Sequence, residues 1–338
     1  MVTQDQVSKA ISELLVPGVG RSLTDLNLLK SIEVADGKVT VTVANAAIGE
    51  GTQDWIRTKI ATSVEKIADG LEITTEFVDA KPTDVNQVGK VIAIMSGKGG
   101  VGKSLITGLS AVALARQGKS VGILDADITG PSIPKMFGMK TRPISSKSGI
   151  LPIISHLGIE VMSINLMLEN EHDAVIWRGP VISGAIKQFW EEVLWGKLDY
   201  LLVDLPPGTA DAPLTVMQTL PVNGVIIVST PQELASMVVR KAVTMAQKLD
   251  KPVLGVVENM SYLEIPETGK RMELFGKSRG QEVADAANAP LLATLPLDPK
   301  LAALCDAGEV EKYSTPEFDA FSKAFTEIAL KSLKSNHG

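Results

Sequence analysis

Gly97-Lys98-Gly99-Gly100-Val101-Gly102-Lys103-Ser104 is the stretch that decides the fold of this chain of 338 residues. It fits the pattern G-x-x-x-x-G-K-[ST], in which a glycine-rich backbone encloses phosphate groups. The apolar run Val91-Ile-Ala-Ile-Met precedes it directly, and a helix-forming stretch, residues 103–117, follows it. Strand, loop and helix in this order are the context that the pattern requires. We therefore predict a phosphate-binding loop rather than a glycine-rich turn without a ligand.

Each part of the loop has a predicted role in holding a nucleotide. Glycine has no Cβ, so backbone N–H groups can close around phosphate oxygens, and the N-terminus of the next helix adds a positive partial charge. Lys103 is expected on the β- and γ-phosphates, and Ser104 is expected to ligate Mg²⁺. The predicted phosphate-binding residues are Gly97, Lys98, Gly99, Gly100, Val101, Gly102, Lys103, Ser104 and Leu105.

Two acidic segments end further apolar runs and are predicted to complete the site. Asp125 and Asp127 lie at the end of one predicted strand, and Asp204 lies at the end of another. Ligands of open α/β sheets bind at these strand ends. Asp125 and Asp204 are candidates for the Mg²⁺ shell, and Asp127 is a candidate for orienting the attacking water. Taken alone, any one aspartate is better interpreted as a cap or turn residue. The loop after Asp204 ends in Gly208, whose N–H is a candidate sensor of the γ-phosphate.

From residue 89 onward the chain alternates short apolar runs with helix-forming stretches. Strands that are apolar on both faces are typical of a parallel sheet covered by helices on each side. The alternation is the βαβ pattern of a doubly wound α/β domain, so we predict an α/β fold with a mostly parallel sheet in residues 89–338. The apolar runs begin at Val91, Val121, Tyr200, Val225 and Val253, and the helical stretches lie near 103–117, 180–195, 233–249 and 316–333.

Residues 1–80 have a different pattern, which predicts a small α+β domain in front of the large one. Val39, Val41 and Val43 alternate with polar residues as in a half-buried strand. The polar, proline-containing residues 81–88 are predicted to be a linker. The residues at helical spacing are Val7, Ile11, Leu14 and Leu15, then Ile56, Ile60, Val64 and Ile67, and another strand is predicted at 71–78.

Composition and charge exclude several classes of protein. Hydrophobic residues make up 45% and charged residues 21%, as in a well-packed globular protein. The net charge of −6 makes the chain a poor candidate for bulk nucleic-acid binding. No apolar stretch reaches the roughly 18–20 residues of a membrane span, and we see no signal peptide. We therefore expect no membrane or nucleic-acid partner and a cytoplasmic location, and the single cysteine, Cys305, fits a reducing compartment.

These motifs together resemble the Mrp/ApbC-type iron–sulfur cluster carriers, a branch of the MinD/ParA superfamily of P-loop ATPases. The resemblance extends over nearly the whole chain, and residues 1–80 resemble the iron–sulfur-assembly-type domain often fused in front of such ATPases. Trp-Arg-Gly-Pro and Glu-Asn-Met-Ser-Tyr are not general P-loop features, which makes the resemblance specific. The matching segments begin at Met95, Asp125, Trp177, Asp199, Val257, Phe275 and Leu295.

The resemblance implies the remaining roles in the nucleotide site. Lys98 makes the loop a deviant Walker A motif, and in such families this lysine reaches across a homodimer to the partner's phosphates, as an arginine finger does in trans. The alternative is a solvated loop lysine. Asn259 is implied to contact adenine, with the loop Pro296–Asp298 beside it. Lys98, Lys103 and Asp127 are therefore the predicted catalytic residues, and ATP and Mg²⁺ are the predicted cofactors.

The chain departs from the family where an iron–sulfur cluster would bind. Many members carry Tyr-x-x-Cys-Pro-x-Cys-Gly after the asparagine, and two such cysteines per subunit would bridge one [4Fe–4S] cluster in a dimer. Here Ile265 and Thr268 occupy the two cysteine positions. Cys305 is left as the candidate thiolate ligand, two copies per dimer, against the alternative of a buried small apolar residue.

The sequence leaves two functions open. The first is an ATP-hydrolysing iron–sulfur cluster carrier or assembly factor, a nucleotide-switched homodimer whose partners are scaffold or recipient apoproteins. The second is a MinD/ParA-like switch or scaffold without a stable cluster, which needs a membrane helix or a basic DNA face. Phe318, Phe321, Phe325 and Ile328 recur at helical spacing and predict either a helix docked on the core or a membrane-surface stripe. A nitrogenase-like reductase needs two cluster cysteines per subunit and is excluded in its usual form.

Overall fold

The apolar runs of the sequence become strands in a computed structural model, which describes residues 2–127, 132–167, 179–209, 211–265 and 267–334. The chain divides into two units. The first contains Met1–Val88, Pro143–Ile154 and Gln188–Leu198, and the second contains Gly89–Arg142, Ser155–Lys187 and Asp199–Gly338. This division differs from the predicted boundaries, because two segments beyond residue 89 join the first unit.

The strands, in chain order, are β1 Leu29–Ala35, β2 Lys38–Ala44, β3 Glu72–Val78, β4 Gln87–Ser96, β5 Val121–Asp125, β6 Ile144–Ser146, β7 Gly149–Leu151, β8 Ile153–Ile154, β9 Glu160–Ser163, β10 Lys197–Asp204, β11 Gly224–Ser229, β12 Val253–Glu258, β13 Leu263–Glu264, β14 Arg271–Met272 and β15 Leu291–Thr294. The helices are α1 Gln4–Ile11, α2 Glu50–Glu65, α3 Pro82–Val85, α4 Lys103–Ala115, α5 Ile133–Met136, α6 Gly179–Glu192, α7 Asp211–Thr219, α8 Glu233–Lys248, α9 Gly280–Ala287, α10 Pro299–Ala307 and α11 Pro316–Lys334.

In the first unit, β2 lies between β1 and β3, antiparallel to β1 and parallel to β3. The predicted alternation of β2 is confirmed, since Val39, Val41 and Val43 are fully buried. Both predicted helices end before their last apolar residue. Leu15 lies beyond the end of α1 and is 54% exposed, and Ile67 lies beyond the end of α2 and is 45% exposed.

The predicted linker, residues 81–88, is a structured part of the first unit. It contains α3 and the first residues of β4. The Asn86 side chain accepts hydrogen bonds from the N–H groups of Trp195 at 2.8 Å and Gly196 at 3.0 Å. Its amide nitrogen donates to the carbonyl oxygen of Val193 at 2.9 Å. The segment is therefore fixed to residues 193–196 of the same unit.

In the second unit, seven of the described strands lie in the order β15-β12-β11-β4-β10-β5-β9. The pairs among β15, β12, β11 and β4 are parallel, and so are the pairs among β10, β5 and β9. After β4 the chain passes through α4 to β5 on one side, whereas β11 lies on the other side. The strand order thus reverses at β4, which is where open α/β sheets bind ligands. The predicted doubly wound α/β fold is confirmed.

Helices α4 and α11 pack together over this sheet and form much of its core. Every residue of α4 from Ile106 to Leu114 is buried. Phe318, Phe321 and Phe325 of α11 belong to the same cluster, and none of them is more than 1% exposed. The C-terminal stripe is therefore docked on the core, as one of its two interpretations predicted. None of the helices in the described part of the chain combines the length and the hydropathy that a bilayer crossing requires.

Two of the family motifs fall partly outside the described residues. Residues 128–131, which follow Asp125-Ala-Asp, lie outside them, and so do Trp177 and Arg178 of the Trp-Arg-Gly-Pro motif. The Gly-Pro of that motif forms the start of α6.

Phe321→Ala tests the docking of α11. Phe321 is fully buried, so its truncation leaves a cavity and should lower the free energy of unfolding by about 3–5 kcal/mol. Chemical denaturation followed by circular dichroism measures the change. Leu330→Ala is the control on the same helix, because Leu330 is 38% exposed and should cost about 0.5 kcal/mol or less. Equal losses in both variants would contradict the docking.

Candidate nucleotide site

The glycine loop connects the central strand β4 to the buried helix α4. Gly100 and Gly102 adopt positive φ angles of 78° and 84°, which side chains with a Cβ rarely adopt. The Asn259 amide nitrogen donates to the Val101 carbonyl oxygen at 3.0 Å, and a Cβ on Gly102 would collide with that nitrogen. A Cβ on Gly100, by contrast, would meet nothing within 4 Å. The loop is therefore closely packed on its Asn259 side and open at Gly100.

Lys103, the first residue of α4, lies behind the loop between two carboxylates. Its Nζ is 2.8 Å from Oδ1 of Asp204 and 3.3 Å from Oδ2 of Asp127. Burial alone would lower the pKa of Lys103, but Asp204 and Asp127 outweigh it, so the pKa lies above its ordinary value. The site therefore holds a positively charged lysine although the side chain is only 5% exposed.

Asp204, the last residue of β10, is fully buried and contacts three polar side chains. Its Oδ2 accepts the Ser104 hydroxyl at 2.5 Å, and its Oδ1 accepts the Thr107 hydroxyl at 2.8 Å in addition to Lys103. Hydrogen bonds to an ionised group stabilise it in a buried position. The predicted residues Lys103, Ser104 and Asp204 are thus brought together.

Asp125 pairs in register with Asp204 across neighbouring strands and is almost completely buried. Its Oδ2 accepts the Ser163 hydroxyl at 3.0 Å, and its Oδ1 accepts the Asp127 N–H at 3.2 Å. Burial, reinforced by the charge of Asp204, raises the pKa of Asp125 well above its ordinary value, and Lys103 offsets only part of this rise. Burial and the neighbouring charge of Asp204 therefore favour the protonated form of Asp125.

The oxygen donors of this site fit a hard divalent cation. The Ser104 hydroxyl and the carboxylates of Asp125 and Asp204 are the ligand types that Mg²⁺ prefers. Among the described residues, no group of three or more His, Cys, Asp or Glu side chains forms a metal cage by itself. Mg²⁺ is commonly held by one or two carboxylates together with substrate phosphates, so the nucleotide would complete its shell.

Lys98, the second lysine of the loop, is only partly exposed. Its ammonium contacts Oε1 of Gln232, the residue before α8, in the same chain. The Ser96 hydroxyl donates to the Lys98 carbonyl oxygen at 2.9 Å, and the Gly208 N–H donates to the Ser96 carbonyl oxygen at 3.1 Å. The loop around Lys98 is therefore fixed from two sides.

The residues predicted to contact adenine lie close together in the structure, but the carboxylate of Asp298 already has hydrogen-bond partners within the protein. Asn259 is 3% exposed. Leu295 and Leu297, on both sides of Pro296, exchange backbone hydrogen bonds with Ser261 and Tyr262, which places this loop beside the Asn259 segment. The carboxylate of Asp298 instead accepts the Lys300 N–H at 2.8 Å and the Tyr313 hydroxyl at 2.9 Å. It therefore caps α10.

Cys305 lies on α10, the helix that Asp298 caps. It is half-buried against the core of the second unit. Burial, with a smaller contribution from Asp306, raises the pKa of the thiol to about 11, so little thiolate forms at neutral pH. Ile265 and Thr268 lie in the turn between β13 and β14, where the Ile265 carbonyl oxygen accepts the Thr268 and Gly269 N–H groups.

Three polar residues of the site were missed in the sequence. Thr107 and Ser163 donate to Asp204 and Asp125, and Gln232 accepts from Lys98. Thr107 follows Lys103 by one helical turn and Ser163 ends an apolar run, so both positions carried a weak signal. No pattern distinguished Gln232.

A glycine loop between a central parallel strand and a buried helix, backed by a charged lysine and carboxylates at strand ends, defines a P-loop nucleotide-binding protein. The profile of the family described as NUBPL iron-transfer P-loop NTPase matches residues 87–332. A second profile, described as iron-sulfur cluster assembly protein, matches residues 4–74. The chain belongs to the NUBPL-type iron-transfer P-loop NTPase family.

Individual relatives agree with this assignment. An iron-sulfur cluster carrier protein from Synechocystis sp. is 38% identical over 345 residues, covering 97% of this chain and 96% of that protein. One from Clostridium perfringens is 46% identical over 239 residues, covering 68% of this chain and 84% of that protein. The solved structure of a nucleotide-binding protein from Archaeoglobus fulgidus in complex with ADP has a TM-score of 0.62 and 50% identity, covering 69% of this chain and 91% of that one.

Thr107→Val tests the support of Asp204. Valine keeps the shape of the side chain but removes one donor from a buried carboxylate, so Mg²⁺-dependent ADP binding should weaken by about tenfold. Isothermal titration calorimetry measures this affinity. In the control Thr244→Val, the lost hydroxyl donates to the Arg240 carbonyl oxygen one turn earlier in α8, and binding should not change. Wild-type affinity in Thr107→Val would show that Asp204 does not need this donor.

Proposed function

We propose that this protein is an ATP-binding and ATP-hydrolysing carrier or assembly factor for iron–sulfur clusters that acts as a nucleotide-switched homodimer. The observation that carries the proposal is the buried network of Lys103, Asp204 and Ser104 behind a glycine loop. The relatives named iron-sulfur cluster carrier proteins support the cargo, since one of them matches 97% of the chain. A cytoplasmic location and a [4Fe–4S] cluster as cargo belong to the same proposal.

Each residue of the site has a role in the proposed hydrolysis. Lys103 exchanges its carboxylate partners for the β- and γ-phosphates, while Ser104, Asp204 and Asp125 face Mg²⁺. Magnesium, when bound, neutralises charge on the phosphates. Asp127 orients the water that attacks the γ-phosphorus. The bond from this phosphorus to the water oxygen forms as its bond to the bridging oxygen of ADP breaks, and the proton of the water passes to the released phosphate.

A separate set of residues is proposed to bind the base of the nucleotide. Asn259 and the loop Pro296–Asp298 border the adenine, with Asn259 also bracing the phosphate loop through Val101. Asp298 contributes by shaping this loop as the cap of α10 rather than by a bond of its own carboxylate to the base.

Gly208 supplies a nucleotide-sensing step. Its N–H donates to the Ser96 carbonyl oxygen at 3.1 Å, and φ at Gly208 is 91°. For this N–H to reach a γ-phosphate, the bond to Ser96 must break and the loop after β10 must move. The loop would therefore have one position when ATP is bound and another after the phosphate has left, as in other switch loops.

Cluster carriage in this chain does not use the cysteine pair common in the family. Ile265 and Thr268 offer no thiolate, and the raised pKa of Cys305 disfavours it as a ligand. We propose that the cluster is held transiently and shared with a scaffold or a recipient apoprotein, whose thiolates supply the missing ligands.

Lys98→Ala tests the trans-acting lysine and the homodimer. Because the loop and Lys103 remain, binding of ATP to the subunit should persist, whereas turnover should fall by on the order of 10³-fold. Steady-state phosphate release and binding of a fluorescent ATP analogue measure the two quantities. Lys103→Ala is the contrast, and should lose binding as well as turnover. Undiminished turnover in Lys98→Ala would refute the trans role.

Anaerobic reconstitution with iron and sulfide tests how a cluster is held. Since Cys305 is half-buried with a raised thiol pKa, wild type and Cys305→Ser should retain the same small amount of iron, well below four atoms per dimer. Iron and acid-labile sulfide analysis measure both. About four irons per wild-type dimer, lost in the variant, would instead make Cys305 a ligand.

A cluster-transfer assay separates the carrier from its alternative, a MinD/ParA-like switch without a cluster. A carrier accelerates transfer from a loaded scaffold to an apoprotein in an ATP-dependent manner that Lys103→Ala abolishes. A switch of the alternative kind leaves the transfer rate unchanged.

A further inference from the structure

The Lys98 ammonium contacts Gln232 in its own chain, although the proposed mechanism requires this ammonium at the phosphates of the partner subunit. Lys98 is the lysine assigned to act on the partner's phosphates, yet its ammonium lies against Oε1 of Gln232 in its own chain. Two carboxylates of the site, Asp127 and Asp204, pair with Lys103 instead, and the carboxylate of Asp125 accepts from the Ser163 hydroxyl and the Asp127 N–H. The partner of Lys98 is therefore a neutral amide.

The fold builds this contact from two neighbouring strands. Lys98 follows the end of β4, and Gln232 follows the end of β11 by three residues. Val228 of β11 pairs in register with Ser96 of β4, and the Ser96 hydroxyl holds the Lys98 carbonyl oxygen at 2.9 Å. Pro231 restricts the backbone immediately before Gln232. The lysine and the amide are thus placed side by side by the sheet itself.

A neutral acceptor holds an ammonium group but is a weaker partner than an anion. The hydrogen bond to Gln232 joins a charged donor to a neutral acceptor, whereas a phosphate oxygen also carries a negative charge, which adds attraction between opposite charges. If Lys98 leaves Gln232 to reach a partner's phosphate, the two contacts compete for the same ammonium group. A phosphate presented by a second, ATP-loaded subunit therefore competes favourably for the lysine, whereas an empty subunit does not.

We propose that Gln232 is a positioning residue that holds Lys98 within its own subunit at rest and releases it when an ATP-loaded partner docks. This rests on the trans role proposed for Lys98. Subunits in which Lys98 contacts Gln232 are not competent to dimerise. The larger this fraction of subunits is, the higher the apparent dissociation constant of the dimer. The strength of the contact with Gln232 thereby sets how strongly dimerisation depends on ATP in both subunits.

Two substitutions at this position should act in opposite directions. Gln232→Glu replaces the amide with a carboxylate, strengthens the hold, and should raise the dimer dissociation constant by about tenfold. Gln232→Ala removes the acceptor and should lower that constant by about threefold. Gln247→Glu is the matched control, since it makes the same change at an exposed residue of α8, roughly 22 Å further along the helix.

Sedimentation velocity of the full chain with Mg²⁺ and a non-hydrolysable ATP analogue measures dimerisation. Turnover at low protein concentration should change in the same order as dimerisation, while the affinity of the monomeric subunit for the ATP analogue stays at the wild-type value. Opposite shifts for the two variants, with Gln247→Glu unchanged, support the proposal. Weaker dimerisation in both variants, or no shift in either, overturns it.

The Lys98→Ala variant keeps this test separate from the proposed function. If turnover survives in Lys98→Ala, the trans role itself fails and the inference fails with it. If turnover is lost in Lys98→Ala but both Gln232 variants dimerise as wild type does, only the positioning role of Gln232 is refuted.

Discussion

The ion pair between Lys103 and Asp204 is the interaction on which the site depends. Both side chains are buried, and removal of water from two charges is costly unless each finds a partner and further hydrogen bonds. Ser104 and Thr107 supply those bonds. Since Lys103 begins α4 and Asp204 ends β10, the pair also ties the glycine loop to the strand that precedes the loop of Gly208. A phosphate that draws Lys103 away from Asp204 therefore acts on both elements at once.

Much of the site was predictable because its signals are local. The glycine loop is continuous in sequence, and Asp125 and Asp204 stand at the ends of apolar runs that parallel strands bring to one edge. The supporting residues are different. Thr107, Ser163 and Gln232 contact partners 97, 38 and 134 residues away in the chain, and their residue types occur everywhere. Only the folded sheet shows that they converge.

The residues at which individual helices end, and the structured nature of residues 81–88, could not be predicted from the sequence either. Leu15 and Ile67 continue the helical spacing, but the helices end before them and both are exposed. Asn86 reads as a polar linker residue, yet three hydrogen bonds fix it to residues 193–196. Spacing records which residues prefer to be buried, whereas the end of a helix depends on what the following chain packs against.

The interleaving of the two units limits how this architecture can be rearranged. The chain passes from one unit to the other after Val88, Arg142, Ile154, Lys187 and Leu198. Leu151 and Leu194, which come from the two late segments, are buried in the same cluster as the first residues of the chain. Deletion of residues 1–88 would therefore leave Leu151 and Leu194 without the side chains that cover them. A relative that lacks the N-terminal region needs another way to cover or replace these two leucines.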